Sequence, residues 1–452
     1  MGEGGGCDTS RAALVGFRDA LYGCLDRWAD ALFELCDATL CTPAAVGSVP
    51  ALSMEPVFRR SHGSLYKALA RGSIDDERLR GILVGQRPAG WPAVFAVDAS
   101  TWPRCDAETS PERGFYYHPS RHSAGQPIVA GWSYQWVAGL SWESDSWTAP
   151  LDVLRIPPLA DTAAATVGQL ERLVRRLGDG GPVPLFVLDA GYDPIALGAG
   201  LAASRAQVLV RIRSDRVFYA DPEQKPDGSV GRPRRHGARF RCADPAGRAA
   251  PDATLDADEP RYGRVSVQAW HGLHPQLQGR GRWAGRDGPP IVRGSVIRVA
   301  VEHLPRPTAR AVKTLWLWWS GPGMPDLDVC WRAYLRRFDL EHTFRFVKRA
   351  LGWTTPALRT PEQADRWTWL VVAAYTQLRL ARGLVADQRL PWQRPCEPAR
   401  LSPSRVRRGF RLLHPLLGTP TSPPKTRTAG PGRPKGTRRP PRTRYPAVKR
   451  AA

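Results

Sequence analysis

The stretch Tyr334-Leu-Arg-Arg337-Phe-Asp-Leu-Glu341-His-Thr-Phe-Arg-Phe-Val-Lys348 decides how the rest of the chain is interpreted. It contains no Gly or Pro and lies between the turn Gly321–Gly323 and Gly352, so the sequence predicts a helix here. At about 100° per residue, four of its polar side chains share an arc of roughly 60°: Tyr334, Arg337, Glu341 and Lys348. Phe338 and Phe344 flank this stripe and are expected to anchor it to a core. Taken alone, the stripe is explained as well by a solvated helix face with ion pairs.

Two aspartates upstream each follow a short apolar run. The run Ala93–Val97 ends at Asp98, and the run Pro184–Leu188 ends at Asp189. Short apolar runs rich in β-branched and aromatic residues are typical of buried strands. A rigid sheet fixes the direction of a carboxylate at the end of such a strand, which metal-dependent phosphoryl transfer requires. Either aspartate alone is explained as the start of a turn, but the pair favours a shared site.

The spacing Tyr-x2-Arg-x3-Glu-x6-Lys, with two aspartates at strand ends, resembles the signature of the DDE transposases of bacterial insertion sequences that excise through a DNA hairpin. The resemblance implies that Asp98, Asp189 and Glu341 bind two Mg²⁺ (or Mn²⁺) ions and catalyse phosphoryl transfer without a covalent protein–DNA intermediate. It also implies a homodimer on double-stranded DNA. A second set of residues is implied to hold the transposon end: Tyr334, Arg337 and Lys348.

From Pro92 the sequence predicts a β-meander, a helix capped by Asp161, a strand, a helix that starts at Asp193-Pro194 and a further strand. This order is that of a ribonuclease-H-like fold, which the resembling transposases share with retroviral integrases. The fold class is therefore α/β, with a mixed sheet and flanking helices, a β-rich insertion, a helical amino-terminal domain and a disordered basic tail. The predicted division is 1–90, helical domain with possible DNA contact; 91–213, first part of the catalytic core; 214–295, β-rich insertion; 296–390, second part of the core; 391–418, basic helical segment; 419–452, disordered basic tail.

Two further groups of residues are expected to contact DNA. In the resembling family a tryptophan early in the strand before the glutamate helix stacks on a flipped base, and Trp316 occupies the comparable position; a core role is the alternative. Near the carboxy terminus, Pro431-Gly-Arg433-Pro-Lys435-Gly436 resembles an AT-hook, in which Arg433 and Lys435 would enter the minor groove. A general polycationic DNA tether is the simpler interpretation of the tail.

Composition limits the class of partner. Lys and Arg outnumber Asp and Glu by 65 to 42, a formal charge of +23, which favours a polyanion and indicates nucleic acid before a membrane surface. The longest apolar run is too short to span a bilayer, and the amino terminus lacks the features of a secretion signal. We therefore expect a cytoplasmic, nucleoid-associated protein. The eight cysteines form no Cys-x2-Cys pair and are interpreted as small buried residues.

Two other functions remain open from the sequence. One is a non-catalytic DNA-binding protein derived from a transposase, and the other is a metal-dependent nuclease of the same fold that does not integrate DNA. The binding-only protein would tolerate Asp98→Asn without loss of DNA binding or of any cellular effect. The nuclease would cleave DNA but would not join transposon ends to a target.

Overall fold

The computed structural model describes residues 3–118, 127–224, 230, 234–245, 248–276, 291–304, 313–425, 434–438, 441 and 443–450. Within these ranges twelve strands form one mixed sheet, and helices cover both of its faces. This arrangement is the ribonuclease-H-like α/β architecture that the sequence predicts.

The first 90 residues are mainly helical. Their elements are α1 (Glu3–Tyr22), β1 (Leu25–Arg27), α2 (Ala29–Cys41), α3 (Val49–Leu52), α4 (His62–Arg71), β2 (Ser73–Ile74) and α5 (Asp76–Gly85). The apolar residues from Ser10 to Thr39 lie on two helices, because the chain breaks after Tyr22 and pairs β1 with β2. The predicted helical domain therefore also contains a small two-stranded sheet.

The part of the sheet that carries Asp98 begins with antiparallel strands. They are β3 (Val94–Pro103), β4 (Gly114–Tyr117), β5 (Ile128–Gly139) and β6 (Ala149–Ile156). Helix α6 (Thr162–Leu177) follows, capped as predicted by Asp161, whose carboxylate accepts from the backbone N–H groups of Ala163 and Ala164. Next come β7 (Leu185–Leu188), α7 (Pro194–Gly200) and β8 (Gln207–Ile212). Strands β3, β7 and β8 are parallel neighbours, and β5 is antiparallel to β3.

The β-rich segment continues the same sheet. It contributes β9 (Val217–Tyr219), β10 (Arg239–Arg241), β11 (Ala253–Glu259) and β12 (Gly263–Pro275), followed by β13 (Gly294–Val301) and β14 (Thr314–Ser320). Strand β14 pairs with β8, β13 with β14, and β12 with β13, all antiparallel. Backbone hydrogen bonds thus join the inserted strand β12 to β7 through β13, β14 and β8.

The described chain after β14 is helical. It contains α8 (Leu327–Arg336), α9 (Phe338–Arg349), α10 (Pro361–Leu380) and α11 (Pro403–Leu413), with 3₁₀ turns at Pro398–Arg400 and His414–Leu416. Helix α10 is buried on nearly every side and packs against α2. No helix in the described ranges is long and apolar enough to cross a membrane.

The start of the predicted disordered tail is ordered against the amino-terminal helices. Thr421 is buried and bonds to Glu34, while the Arg59 and Arg60 side chains donate to the carbonyl oxygens of Thr421 and Ser422. The predicted boundary at residue 419 is therefore too early. Packing of Thr421 beside a buried carboxylate gives these residues a fixed place that their composition does not reveal.

Candidate active site

The register of two parallel strands brings Asp98 and Asp189 side by side. Strands β3 and β7 pair Ala96 with Val187, so the residues two positions further along, Asp98 and Asp189, lie opposite each other. Strands side by side are about 4.8 Å apart. Asp189 directly follows β7, as the sequence predicted. Strand β3 does not end at Asp98, however, because its pairing with β5 continues to Pro103.

Both aspartates face the same side of the sheet. Alternate residues of β3 and β7 pack in different cores: Ala96 and Val187 lie with the carboxy-terminal helices, whereas Val97 and Leu188 lie with α6 and α7. Because side chains alternate along a strand, Asp98 and Asp189 point toward the helices. Glu341 lies on α9, which packs on β3.

The predicted helix from Tyr334 to Lys348 is interrupted at Arg337. That residue lies between the end of α8 at Arg336 and the start of α9 at Phe338, so the two helices meet at it. Phe344 is buried as predicted, but Phe338 is 43 % exposed and does not anchor the stripe. Tyr334 and Arg337 are almost completely buried rather than displayed on a solvent-facing stripe. The break at the helix junction turns Arg337 inward toward the sheet.

The Arg337 guanidinium bridges two of the predicted catalytic acids. Its Nη1 lies 3.1 Å from Asp98 Oδ2, and its Nη2 lies 3.1 Å from Glu341 Oε1. Asp98 Oδ1 accepts from its neighbour's backbone N–H at 2.8 Å, and Asp189 Oδ1 accepts from the Gly191 N–H at 2.9 Å. Two of the three acids, Asp98 and Glu341, therefore contact one buried cation.

The charges of Asp189 and Glu341 affect the pKa of Asp98. Burial raises the pKa of Asp98 to about 6; Arg337 opposes this shift, and the charges of Asp189 and Glu341 add to it. Like charges brought together in a partly desolvated site favour the neutral form of one of them. A cation bound among them would relieve that repulsion.

The donor set fits a divalent metal ion. Three carboxylates supply the hard oxygen ligands that Mg²⁺ and Mn²⁺ prefer. In the described residues, no group of three acidic, His or Cys side chains is gathered closely enough to hold an ion as it stands. The Arg337 guanidinium stands in for a metal cation between Asp98 and Glu341, and its Nε has no hydrogen-bond partner among the described residues. Asp98, Asp189 and Glu341 would hold the metal after Arg337 moves aside.

The remaining predicted residues lie at different distances from this centre. Tyr334 is buried with its ring 5.9 Å from the Arg337 guanidinium, and Lys348 lies on α9 with its Nζ 5.6 Å from the Trp353 ring. Trp316 is only 6 % exposed; its ring packs against Trp270 and the guanidinium of Arg248.

In its described position Trp316 is a core residue of the β-rich segment, because both neighbours would have to move before a base could stack on it. In the basic tail, Lys435 is exposed, and Arg433 lies outside the described residues.

One polar residue beside the acids was missed by the sequence argument. Tyr192 lies near Asp98 and Asp189, and its hydroxyl donates to Gln135 Oε1 at 2.9 Å. Gln135 in turn donates to Gln169 on α6 at 2.7 Å. This buried chain fixes the turn that follows Asp189. Its only sequence signal was the short polar segment Asp189-Ala-Gly-Tyr192, which resembles any turn.

The fold is that of a ribonuclease-H-like protein, and two aspartates and a glutamate lie on one side of its sheet. A family model described as DDE superfamily endonuclease matches residues 20–276, more than half of the chain. The chain therefore belongs to the DDE superfamily of endonucleases, whose substrate is DNA and whose members generally use divalent metal ions. The matched range contains Asp98 and Asp189 and stops before Glu341. A comparison with curated proteins finds no match.

Proposed function

We propose that this protein is a DNA transposase of the hairpin-forming type, which moves an insertion sequence by cut-and-paste transposition. The observation that carries the proposal is the position of Arg337, which contacts Asp98 and Glu341 at 3.1 Å each from the side of the sheet where Asp189 also emerges. Contact of two acids from distant parts of the chain with one guanidinium, beside the strand that leads to Asp189, supports the proposal. The successive reactions would be end nicking, hairpin formation, hairpin opening and strand transfer, all at this site.

The three acids have a common role. Two bound Mg²⁺ or Mn²⁺ ions would activate the attacking oxygen and stabilise the leaving oxygen of the scissile phosphate. Asp98 and Asp189 project from adjacent strands and so keep a constant separation. Glu341 is held on a helix, with its side chain 43 % exposed, and faces the entering DNA.

Arg337 and its neighbours are proposed to hold the transposon end. Once Arg337 leaves the acids, its guanidinium can donate two hydrogen bonds to a phosphate. Tyr334 packs beside Arg337 and limits the directions in which it can move. Lys348 lies seven residues after Glu341, about 10 Å along the helix, where it can neutralise a phosphate further along the same strand. A homodimer on DNA would pair two such ends.

The test is cleavage of a labelled duplex that carries the inverted repeat flanking the gene. We expect the purified protein to nick it with Mg²⁺ and to form a covalently closed hairpin, seen on a denaturing gel. Asp98→Asn, Asp189→Asn and Glu341→Gln should each reduce cleavage at least a thousandfold, since each removes a metal ligand, whereas DNA binding should persist. Asp193→Asn is the matched control, because Asp193 caps α7 nearby and Asn caps a helix equally well.

The other outcomes separate the competing functions. Open-ended cleavage without hairpins or joining to a target would indicate a nuclease of the same fold. Full activity of the three acid variants, or full activity in chelator, would rule out metal-dependent catalysis at this site. Tight DNA binding without cleavage by the wild-type protein under any divalent ion would indicate the binding-only protein.

A further inference from the structure

A groove with a cationic rim lies along the exposed side of α9. Its cavity volume is about 470 Å³. The floor is aromatic, formed by Trp147, Phe346 and Tyr375. The rim carries three exposed arginines, Arg345 and Arg349 on α9 and Arg400 before α11. An apolar floor between guanidinium groups is suited to a chain of phosphates that alternate with less polar groups.

The rim arginines have no carboxylate partner among the residues that the structure describes. Within the described part of the chain, no carboxylate lies at ion-pair distance from Arg345, Arg349 or Arg400. Asp145 is the one acidic residue that the structure places in the groove lining, and it is paired with Arg382 at 2.6 Å. The three arginines are therefore available to a ligand of opposite charge.

The start of a helix adds partial positive charge to the same groove. Helix α11 begins at the groove, with Ser402 and Ser404 in the lining. The amino-terminal end of a helix carries partial positive charge. These contributions have one sign and indicate an anionic occupant.

The position of the groove identifies that occupant. Arg345 follows Glu341 by four residues, about 6 Å or one turn along the helix. Arg349 is one further turn away. A DNA strand that runs along α9 away from the acidic site therefore passes Arg345 first and Arg349 second. Arg400 lines the same groove.

We propose that this groove holds the sugar-phosphate backbone of DNA beyond the scissile bond, with Arg345, Arg349 and Arg400 as its phosphate contacts. The proposal rests on the proposed function, because it takes DNA at Glu341 as the starting point. It adds a second contact surface, outside the residues of the Tyr-Arg-Glu-Lys signature. The arginines would hold the DNA in position without taking part in the chemistry.

The experiment measures binding without catalysis. Full-length protein is titrated into a fluorescent duplex in EDTA, at several KCl concentrations, and the logarithm of the association constant is plotted against the logarithm of salt concentration. Each phosphate contact contributes about 0.9 to this slope. The double variant Arg345→Gln/Arg349→Gln should reduce the slope by about 2, and Arg400→Gln should reduce it by about 1.

The matched control is Arg172→Gln/Arg175→Gln. It removes the same charge from α6, which packs on the opposite face of the sheet. Its slope should equal that of the wild type. Equal salt-dependence slopes for the α9 and α6 variants would overturn the proposal. So would an unchanged slope for the α9 variant together with altered sedimentation of the DNA-free protein, since that result indicates a protein partner.

Folding and function are controlled separately. Thermal unfolding of each variant must match the wild type, which is expected because all five side chains are on the surface or half-buried. Since no divalent ion is present, the slope is measured independently of cleavage. If the groove variants and the wild type have the same salt-dependence slope, the proposal for the groove is refuted. Cleavage by the Asp98, Asp189 or Glu341 variants would refute the proposed function alone.

Discussion

Replacing Asp98 by Asn is expected to stabilise the metal-free protein while it removes a catalytic acid. Burial and neighbouring carboxylates raise the pKa of Asp98 from 3.8 to about 6, even with Arg337 beside it. The folded state therefore binds the Asp98 proton more tightly than the unfolded state does. Ionisation of Asp98 in the folded protein has a free-energy cost that is absent in Asn.

The size of the effect follows from the shift. About 1.4 kcal/mol per pKa unit over roughly two units gives a cost of about 3 kcal/mol when Asp98 is fully ionised in the fold. The cost is absent below about pH 4, where both states are protonated, grows between pH 4 and 6, and is complete above about pH 7. Because the side chain is 17 % exposed, we expect a measured stabilisation of about 2–3 kcal/mol.

The assay is urea unfolding of both proteins in EDTA from pH 4 to pH 8. The difference in unfolding free energy, Asp98→Asn minus wild type, should rise from near zero to its full value across this range. Adding Mg²⁺ at pH 8 should reduce the difference, since bound metal stabilises only the wild type. A difference that is flat with pH, or negative at pH 8, would refute the electrostatic argument.

Three other changes test the fold. Asp37→Ala should destabilise the protein by about 3–5 kcal/mol, because it leaves the buried Arg18 guanidinium without the carboxylate now 2.6 Å away; urea unfolding measures this, and a loss below 1 kcal/mol would contradict it. Gly131→Ala should reduce the melting temperature, because a Cβ at this position in β5 would overlap the Trp102 carbonyl oxygen; an unchanged melting temperature would show that the strands can separate. Trp316→Ala should cost about 3–5 kcal/mol in unfolding free energy without DNA, and a stable variant that fails only in hairpin formation would instead support base stacking.

Local sequence patterns were sufficient to predict most of the fold. The strands before Asp98 and Asp189, the capped helix after Asp161 and the helix start at Asp193-Pro194 each have a short-range signal, and all are present. The ribonuclease-H-like order follows from these elements. What the pattern could not show was that β3 continues to Pro103, since that length depends on pairing with β5.

The side-chain arrangement of the site was less predictable. Helical spacing predicted that Arg337 and Glu341 share a face, but not that the helix is interrupted there and that Arg337 turns toward Asp98. Trp316 shows the same limit, because its aromatic neighbours come from the distant residues Phe240 and Trp270. Contacts between segments far apart in the chain have no periodicity that a single sequence displays.

The continuous sheet has a mechanical consequence. Strand β8 carries the parallel core on one edge and β14 on the other, so each inserted strand is joined to the acidic centre by backbone hydrogen bonds rather than by a tether. A force on the inserted strand β12, such as the pull of a bent duplex, would reach Asp189 through three intervening strands, β13, β14 and β8. A force that displaces the inserted strands would therefore also change the angle between Asp98 and Asp189.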